Sequence, residues 1–243
     1  MDLGHRPGKL IATPQDELTA LSPRRSKPET LEASENRDEL EELLALIKQH
    51  DAAAYQQAMQ QRLARQGLQR FVQDTIAPLT RRVGEYWEDG SFEVFEEHLY
   101  TELTKRLLRQ AISTLPGGPR APRVLLTSVP EELHVLGLLM VEALLALEAA
   151  ACIPLGTQMY LPEIGRAAQA HQADIVALSF SGAFPQRQIG GLLQQLRMIL
   201  PATTALWAGG SGVARVARSD DAELITTLDD TLATLAAWRL QHS

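Results

Sequence analysis

The chain has 243 residues, which is long for one domain and sufficient for two. Hydrophobic residues make up 45% of it, enough for packed cores, while a formal net charge of −7 argues against a protein that wraps nucleic acid with its own surface field. The single cysteine, Cys152, excludes a disulfide framework and a cysteine-rich metal site. No signal peptide and no apolar run long enough to span a bilayer is visible, so we expect a cytoplasmic protein without membrane contacts.

The N-terminal part predicts a disordered arm followed by helices. Residues 1–36 contain prolines and scattered charges without a sustained apolar period, which is typical of disorder. Between 37 and 115, apolar residues recur at helical spacing in four stretches. The first stretch starts near Asp38, and the other three cover about 51–66, 68–88 and 92–114. Gly67 is expected to break the second from the third, and Pro78 to kink the third. Four helices with short connections predict a small bundle.

The C-terminal part predicts a parallel sheet. Residues 116–122 are rich in proline and glycine, which indicates a linker. From 123 to 243, strand and helix patterns alternate. Strands are expected near 123–129, 151–156, 174–179, 203–208 and 222–226. Such alternation predicts an α/β domain with a doubly wound, Rossmann-like sheet of five parallel strands.

Candidate ligand-binding residues follow three of these strands. They are Glu132, His134 and Gly137 after the first strand, Ser179 and Ser181 after the third, and Gly209 and Gly210 after the fourth. The carboxyl ends of parallel strands are where open α/β sheets bind their ligands. An imidazole such as His134 can ligate a metal through one ring nitrogen while a carboxylate such as Glu132 holds the other. Gly137 has no Cβ, so a bulky group can approach the backbone there.

The spacing of these residues resembles the signature of the cobalamin-binding domain family. That signature is Asp-x-His-x-x-Gly, then Ser-x-Leu, then Gly-Gly. Here 41 residues separate Gly137 from Ser179, and 27 residues separate Ser181 from Gly209. Two positions depart from it: Glu132 replaces the aspartate and is longer by one methylene, and Ser181 replaces the leucine, where only a compact residue is expected to be needed.

The resemblance covers about residues 123–243 and implies a role for each part of the motif. His134 would be the lower axial ligand of cobalt, with Glu132 as its hydrogen-bond partner. Ser179 would contact the displaced nucleotide tail of cobalamin, and the two adjacent glycines would let that tail slide between the strands. The alternative is a flavodoxin-like domain without this cofactor.

A second set of candidate residues lies in the predicted bundle. Trp87 closes the third helix, and Glu97 and His98 begin the fourth after nine intervening residues. By themselves they are also typical of a bundle-core tryptophan with two solvated neighbours. In this order, before a cobalamin domain, Trp-x9-Glu-His resembles the light-sensing regulators of the CarH/LitR type. The resemblance implies that the bundle caps the upper face of the corrin and that these three residues pack on a 5′-deoxyadenosyl ligand, so adenosylcobalamin is the expected cofactor.

Two features depart from that family. CarH-type regulators carry a MerR-like winged helix-turn-helix before the bundle, and residues 1–36 are too short to hold one. Glu88 stands after Trp87, where relatives can have a histidine that takes the upper face of cobalt after illumination. We therefore expect no direct nucleic acid binding, and a regulator that acts through a partner protein, as short cobalamin-binding antirepressors do. A homo-oligomer is compatible with this pattern.

The sequence thus predicts a light-responsive cobalamin sensor rather than an enzyme. Two alternatives stay open: a corrinoid methyl carrier of a methyltransferase system, and a photoreceptor that binds a second tetrapyrrole, a bilin. Neighbouring genes for a methyltransferase and a reactivase would favour the carrier. An additional absorption band of the purified protein would reveal the bilin.

Overall fold

The computed structural model describes residues 31–116, 120–216 and 219–242, without the side chains of residues 31–36 and of Arg120. Most of the predicted arm, residues 1–30, and part of the predicted linker, residues 117–119, lie outside this description. The backbone of residues 31–36 is helical, so the first described helix begins ahead of the predicted start near Asp38.

The first described part of the chain is helical, as predicted. It contains α1 (Leu31–Lys48), α2 (Ala52–Arg70), a π-helical segment (Phe71–Ile76), α3 (Ala77–Glu88) and α4 (Val94–Ser113). Asp51 caps α2 by accepting the Ala54 N–H at 2.9 Å. Reciprocal bonds between Glu93 and Glu96 cap α4. Local capping therefore sets the N-terminal ends of α2 and α4.

The junction between α2 and α3 agrees with the prediction at Gly67 and differs from it at Pro78. Gly67 has non-helical dihedral angles, φ +72° and ψ 160°, so the predicted break is confirmed, and the helix resumes after it as far as Arg70. The expected kink near Pro78 takes the form of the π-helical segment that precedes it, in which the Ala77 N–H bonds to the Val72 carbonyl five residues back. Pro78 then lies in the first turn of α3, directly after the π-helical segment.

A sheet of five parallel strands follows, which confirms the predicted doubly wound, Rossmann-like fold. The strands are β1 (Arg120–Thr127), β2 (Ala150–Gly156), β3 (Ile175–Ser179), β4 (Ala205–Gly209) and β5 (Glu223–Ile225). The helices are α5 (Leu136–Leu147), α6 (Leu161–Ala170), α7 (Gln186–Ile199) and α8 (Leu228–Gln241). The strand order is β2-β1-β3-β4-β5. All the strands are parallel, but β2 is added on one side of β1 and β3 on the other, so the order of addition reverses between β1 and β3. Ligands of such sheets bind at the carboxyl ends of the strands beside that reversal.

Helix α5 joins the bundle to the sheet. One of its sides contributes Leu139 and Leu144 to the core of the bundle, and the other contributes Leu138 and Leu145 to the core against the sheet. A helix buried on both sides is apolar all round, which explains its leucine-rich sequence. From Leu40 onward, bundle and sheet belong to one compact unit. In the part of the chain that the structure describes, no helix combines the length and apolarity needed to cross a bilayer.

Candidate functional site

His134 lies in the loop between β1 and α5, beside the reversal of strand order. Its Nδ1 lies 2.7 Å from Oε1 of Glu132, which also accepts the His134 backbone N–H at 2.9 Å. The hydrogen bond with Glu132 raises the pKa of His134, burial opposes this, and the charges of Glu132 and Glu97 add to the increase. The imidazole is 59% exposed. Because the carboxylate holds Nδ1, Nε2 is the nitrogen left to bind a metal.

Ser181 holds the second oxygen of Glu132. Its backbone N–H and its hydroxyl both donate to Oε2, at 2.7 and 2.9 Å. Burial would raise the pKa of Glu132, but the hydrogen bonds from His134 and Ser181 outweigh it and hold this pKa below its ordinary value. The interpretation that only compactness matters at Ser181 is therefore wrong. The longer carboxylate of Glu132 accepts the hydroxyl of Ser181, so the two departures from the motif compensate each other. Their occurrence together in one chain is the sequence signal that could have predicted this bond.

We expect Ser181→Ala to lower the free energy of unfolding by about 1–3 kcal/mol. Glu132 is buried and charged, and one of its oxygens would lose the hydrogen bond that the Ser181 hydroxyl donates. Urea denaturation followed by circular dichroism measures this. Ser113→Ala is the matched control, since the Ser113 hydroxyl is exposed and bonds only the Gln110 carbonyl. Equal effects of the two substitutions would show that the Ser181 hydroxyl does not stabilise Glu132.

Ser128 is a further residue that the motif does not include. Its buried hydroxyl donates to the Glu132 carbonyl at 2.8 Å and accepts the Gln158 N–H at 3.0 Å. The Ser128 carbonyl accepts the Met159 N–H at 2.8 Å. The loop that carries His134 is thus tied to the loop after β2, which restricts the position of the imidazole.

Gly137 and Ser179 approach each other closely. A Cβ on Gly137 would lie 2.6 Å from Oγ of Ser179, so any other residue would displace α5 or that hydroxyl. Ser179 in turn lies opposite Gly209 in the register of β3 and β4. Gly210 has φ +96°, and a Cβ there would overlap the carbonyl of Phe180. Gly210 is therefore required by the backbone itself, whereas a Cβ on Gly209 would lie 3.2 Å from the Ile225 carbonyl oxygen, which a small shift would accommodate.

An apolar cavity of about 150 Å³ opens at this edge of the sheet, between α5 and α8. Its lining includes four of the predicted residues, namely Gly137, Ser179, Gly209 and Gly210, together with Trp207 and Ile225. Ala77 at the start of α3 also lines it, so the bundle forms part of the wall. The lining is mainly apolar, and it includes the hydroxyl residues Ser179, Thr226, Thr227 and Thr231.

The three residues predicted in the bundle lie at the adjoining ends of α3 and α4. The turn between these helices is closed by a bond from the Phe92 N–H to the Tyr86 carbonyl at 2.8 Å. Trp87 is 54% exposed, which contradicts the alternative of a bundle-core tryptophan. Glu97 accepts the Thr101 hydroxyl at 2.7 Å and lies 2.8 Å from Nδ1 of His98.

One of these bundle residues acts electrostatically on His134. The charge of Glu97 adds to the increase in the pKa of His134. Exposed large apolar side chains occur on the same segments: Trp87 on α3, Val94 on α4 and Leu133 beside His134.

Comparisons with known proteins identify relatives of this chain. Residues 39–112 match the family model described as B12 binding domain. The HTH-type transcriptional repressor CarH of Myxococcus xanthus is 30% identical over 171 residues, which cover 70% of this chain and 57% of that protein. The chain thus spans little more than half the length of this curated relative.

A solved structure shows the same fold. The monomethylamine corrinoid protein of Methanosarcina barkeri superposes with a TM-score of 0.64 at 14% identity, over 83% of this chain and 99% of that one. A cobalamin-binding protein from Desulfitobacterium hafniense aligns over 82% of this chain and 98% of its own, with 15% identity and a TM-score of 0.42. By the family match of its bundle, its likeness to CarH and its corrinoid-protein fold, the chain belongs to the cobalamin-binding domain family.

Proposed function

We propose that this chain is a light-responsive cobalamin sensor that acts by changing its association with partner proteins. One observation carries the proposal: the chain combines an imidazole held by a buried carboxylate at the reversal of strand order with a bundle in which Trp87 is half exposed and Glu97 contacts His98. A methyl carrier needs the imidazole but has no use for a broad apolar face and a carboxylate on the cap. The match to the B12 binding domain family supports cobalamin binding itself.

The residues present fit adenosylcobalamin. His134 Nε2 would bind cobalt from below, while Glu132 and Ser181 keep the ring in place. The cavity between α5 and α8 would hold the nucleotide tail. Trp87 would cover the upper ligand with its indole, and Glu97 would accept hydrogen bonds from the ribose hydroxyls. When bound, this cofactor supplies a cobalt–carbon bond that light can break.

The contacts between bundle and sheet domain support a route by which the signal would spread. The bundle core packs on α5, and Gln73 of the π-helical segment donates to Asp229 at the start of α8 at 2.5 Å. Once the upper ligand is gone, Trp87 and Glu97 lose their partner and the position of the bundle is held by fewer contacts. A surface that changes in this way can change its affinity for a partner protein or a second copy of the chain.

Gene regulation through a partner is part of the proposal. The relative from Myxococcus xanthus is by its name a transcriptional repressor, and the net charge of −7 does not favour direct contact of this chain with nucleic acid. An antirepressor binds a regulator rather than DNA, so this role agrees both with a relative that regulates transcription and with the negative net charge.

Absorption spectra before and after illumination under air test the light response. Glu88 offers no imidazole, and His98, with Nδ1 held by Glu97, has Nε2 left. We expect illumination to change the spectrum of the adenosylcobalamin-loaded protein. We expect no bis-imidazole spectrum in His98→Ala and a stable one in Glu88→His.

Three results would contradict parts of this proposal. An unchanged spectrum after illumination would remove the photoreceptor and favour the methyl carrier. A stable bis-imidazole spectrum in His98→Ala would mean that another histidine takes the upper face. An additional band in the protein as purified would indicate a bilin.

A further inference from the structure

We infer that Thr101 is a positioning residue that sets the Glu97 carboxylate to receive the vicinal hydroxyls of the upper ligand's ribose. The inference rests on the proposed function and deepens it. Thr101 lies one helical turn after Glu97 on α4, and its Oγ1 donates to Glu97 Oε1 at 2.7 Å. Neither the Trp-x9-Glu-His pattern nor the family match assigns a role to Thr101.

The hydroxyl of Thr101 does not make the bond that is usual for a helical threonine. Such a residue commonly donates to the backbone carbonyl four residues earlier. Thr80 does so in this protein, with Oγ1 2.7 Å from the Ile76 carbonyl. Thr101 instead donates to the side chain four residues earlier. Its rotamer therefore serves the Glu97 carboxylate rather than the helix backbone.

Both oxygens of Glu97 are held, and both can still accept. Oε1 takes the Thr101 hydroxyl, and Oε2 lies 2.8 Å from His98 Nδ1. A carboxylate has about four acceptor positions, so roughly one remains on each oxygen. Two coplanar acceptors on one fixed group match two neighbouring hydroxyls that donate side by side. A ribose offers such a pair, whereas a methyl group offers none.

The residues around Glu132 form a similar arrangement of carboxylate, imidazole and hydroxyl, but its carboxylate is not available to a ligand. Glu132 also lies between a histidine Nδ1 and a hydroxyl, those of His134 and Ser181. However, Glu132 is 1% exposed and accepts two backbone N–H groups as well. Its acceptor positions are filled within the protein. The Glu97 side chain is 31% exposed, so its remaining positions are open to a ligand.

The consequence is selectivity for the upper ligand. A glutamate on a helix surface samples several rotamers, and fixing it costs conformational entropy. Thr101 and His98 restrict those rotamers before the ligand arrives, so less entropy is lost when the ribose binds. Removal of the Thr101 hydroxyl should then weaken adenosylcobalamin and leave methylcobalamin unaffected.

Calorimetric titration in the dark tests the inference with the full chain and three proteins: wild type, Thr101→Val and Thr101→Ser. Valine keeps the shape and removes the hydroxyl, while serine keeps the hydroxyl. We expect Thr101→Val to weaken adenosylcobalamin about five- to tenfold, the loss of roughly one hydrogen bond, with methylcobalamin changed less than about twofold. Thr101→Ser should restore the affinity for adenosylcobalamin.

An adenosylcobalamin analogue without the ribose 2′-hydroxyl adds a second readout. It should bind wild type more weakly than the parent cofactor and lose less on Thr101→Val, because it offers Glu97 only one hydroxyl. Equal weakening of adenosyl- and methylcobalamin, or no rescue by Thr101→Ser, would overturn the inference and leave the proposed function intact. Failure of wild type to bind either cobalamin would overturn the proposed function.

Discussion

His134→Ala is expected to fold, and to bind hydroxocobalamin without the spectrum of a base-off, histidine-bound cobalt. The side chain is 59% exposed and its ring nitrogens bond no described residue other than Glu132, so its loss removes little packing. Loss of a partner that merely orients a metal ligand already costs 10- to 100-fold in affinity, and loss of the ligand itself should cost at least as much. Absorption spectra and a hydroxocobalamin titration measure both effects.

His171→Ala is the control for this experiment. His171 is also exposed, but it lies at the C-terminal end of α6, away from the carboxyl ends of the strands. It should keep the wild-type spectrum and affinity. If His134→Ala binds hydroxocobalamin with an unchanged spectrum and unchanged affinity, His134 is not the lower ligand.

Trp87→Ala is expected to weaken adenosylcobalamin by about 3 kcal/mol, roughly 100-fold, and methylcobalamin much less. An adenosyl group would cover the indole, whereas a methyl group is too small to reach across it. Trp87 is 54% exposed, so we expect the effect to fall on binding rather than on the stability of the bundle. Calorimetry with both cobalamins, together with a thermal unfolding curve, measures the two quantities separately.

Leu240→Ala is the control for Trp87→Ala. Leu240 is an exposed apolar residue on α8, and its truncation should change neither affinity. Equal losses for adenosyl- and methylcobalamin in Trp87→Ala would make Trp87 a structural residue. A large fall in the unfolding temperature, with an unchanged preference for adenosylcobalamin over methylcobalamin, would also show that Trp87 is a structural residue.

The sequence alone predicts the sheet and the edge on which the site lies. Each strand of a buried parallel sheet is a short apolar run, and the expected strands near 174–179 and 203–208 lie within a few residues of β3 and β4. Because parallel strands end at one edge, residues that follow different strands are brought together by the topology alone. This is why the positions of His134, Ser179 and Gly209 follow from their spacing.

The sequence predicts the helix break at Gly67, whereas the effect of Pro78 depends on its surroundings. Gly67 adopts a positive φ that glycine reaches without strain, and this interrupts the helix as predicted. The kink assigned to Pro78 is spread over the π-helical segment before it. The burial of Phe71 and Val72 holds this segment against the bundle core. Tertiary packing thus outweighs the local preference of single residues.

Only the tertiary structure decides which side chains hold the site together. The bond between Glu132 and Ser181 joins residues 49 positions apart and depends on how the ends of β1 and β3 face each other. Residue spacing places both at one edge, but it does not say which hydroxyl a carboxylate with one extra methylene reaches.

The same holds for exposure and for side-chain rotamers. Trp87 has the same sequence context whether it packs into the bundle or faces outward, and only the packing of α3 against α4 leaves it half exposed. Thr101 and Thr80 both lie in helices, yet one donates to a side chain and the other to the backbone. Periodicity specifies the face of an element, whereas the hydrogen-bond partner depends on distances that the fold as a whole determines.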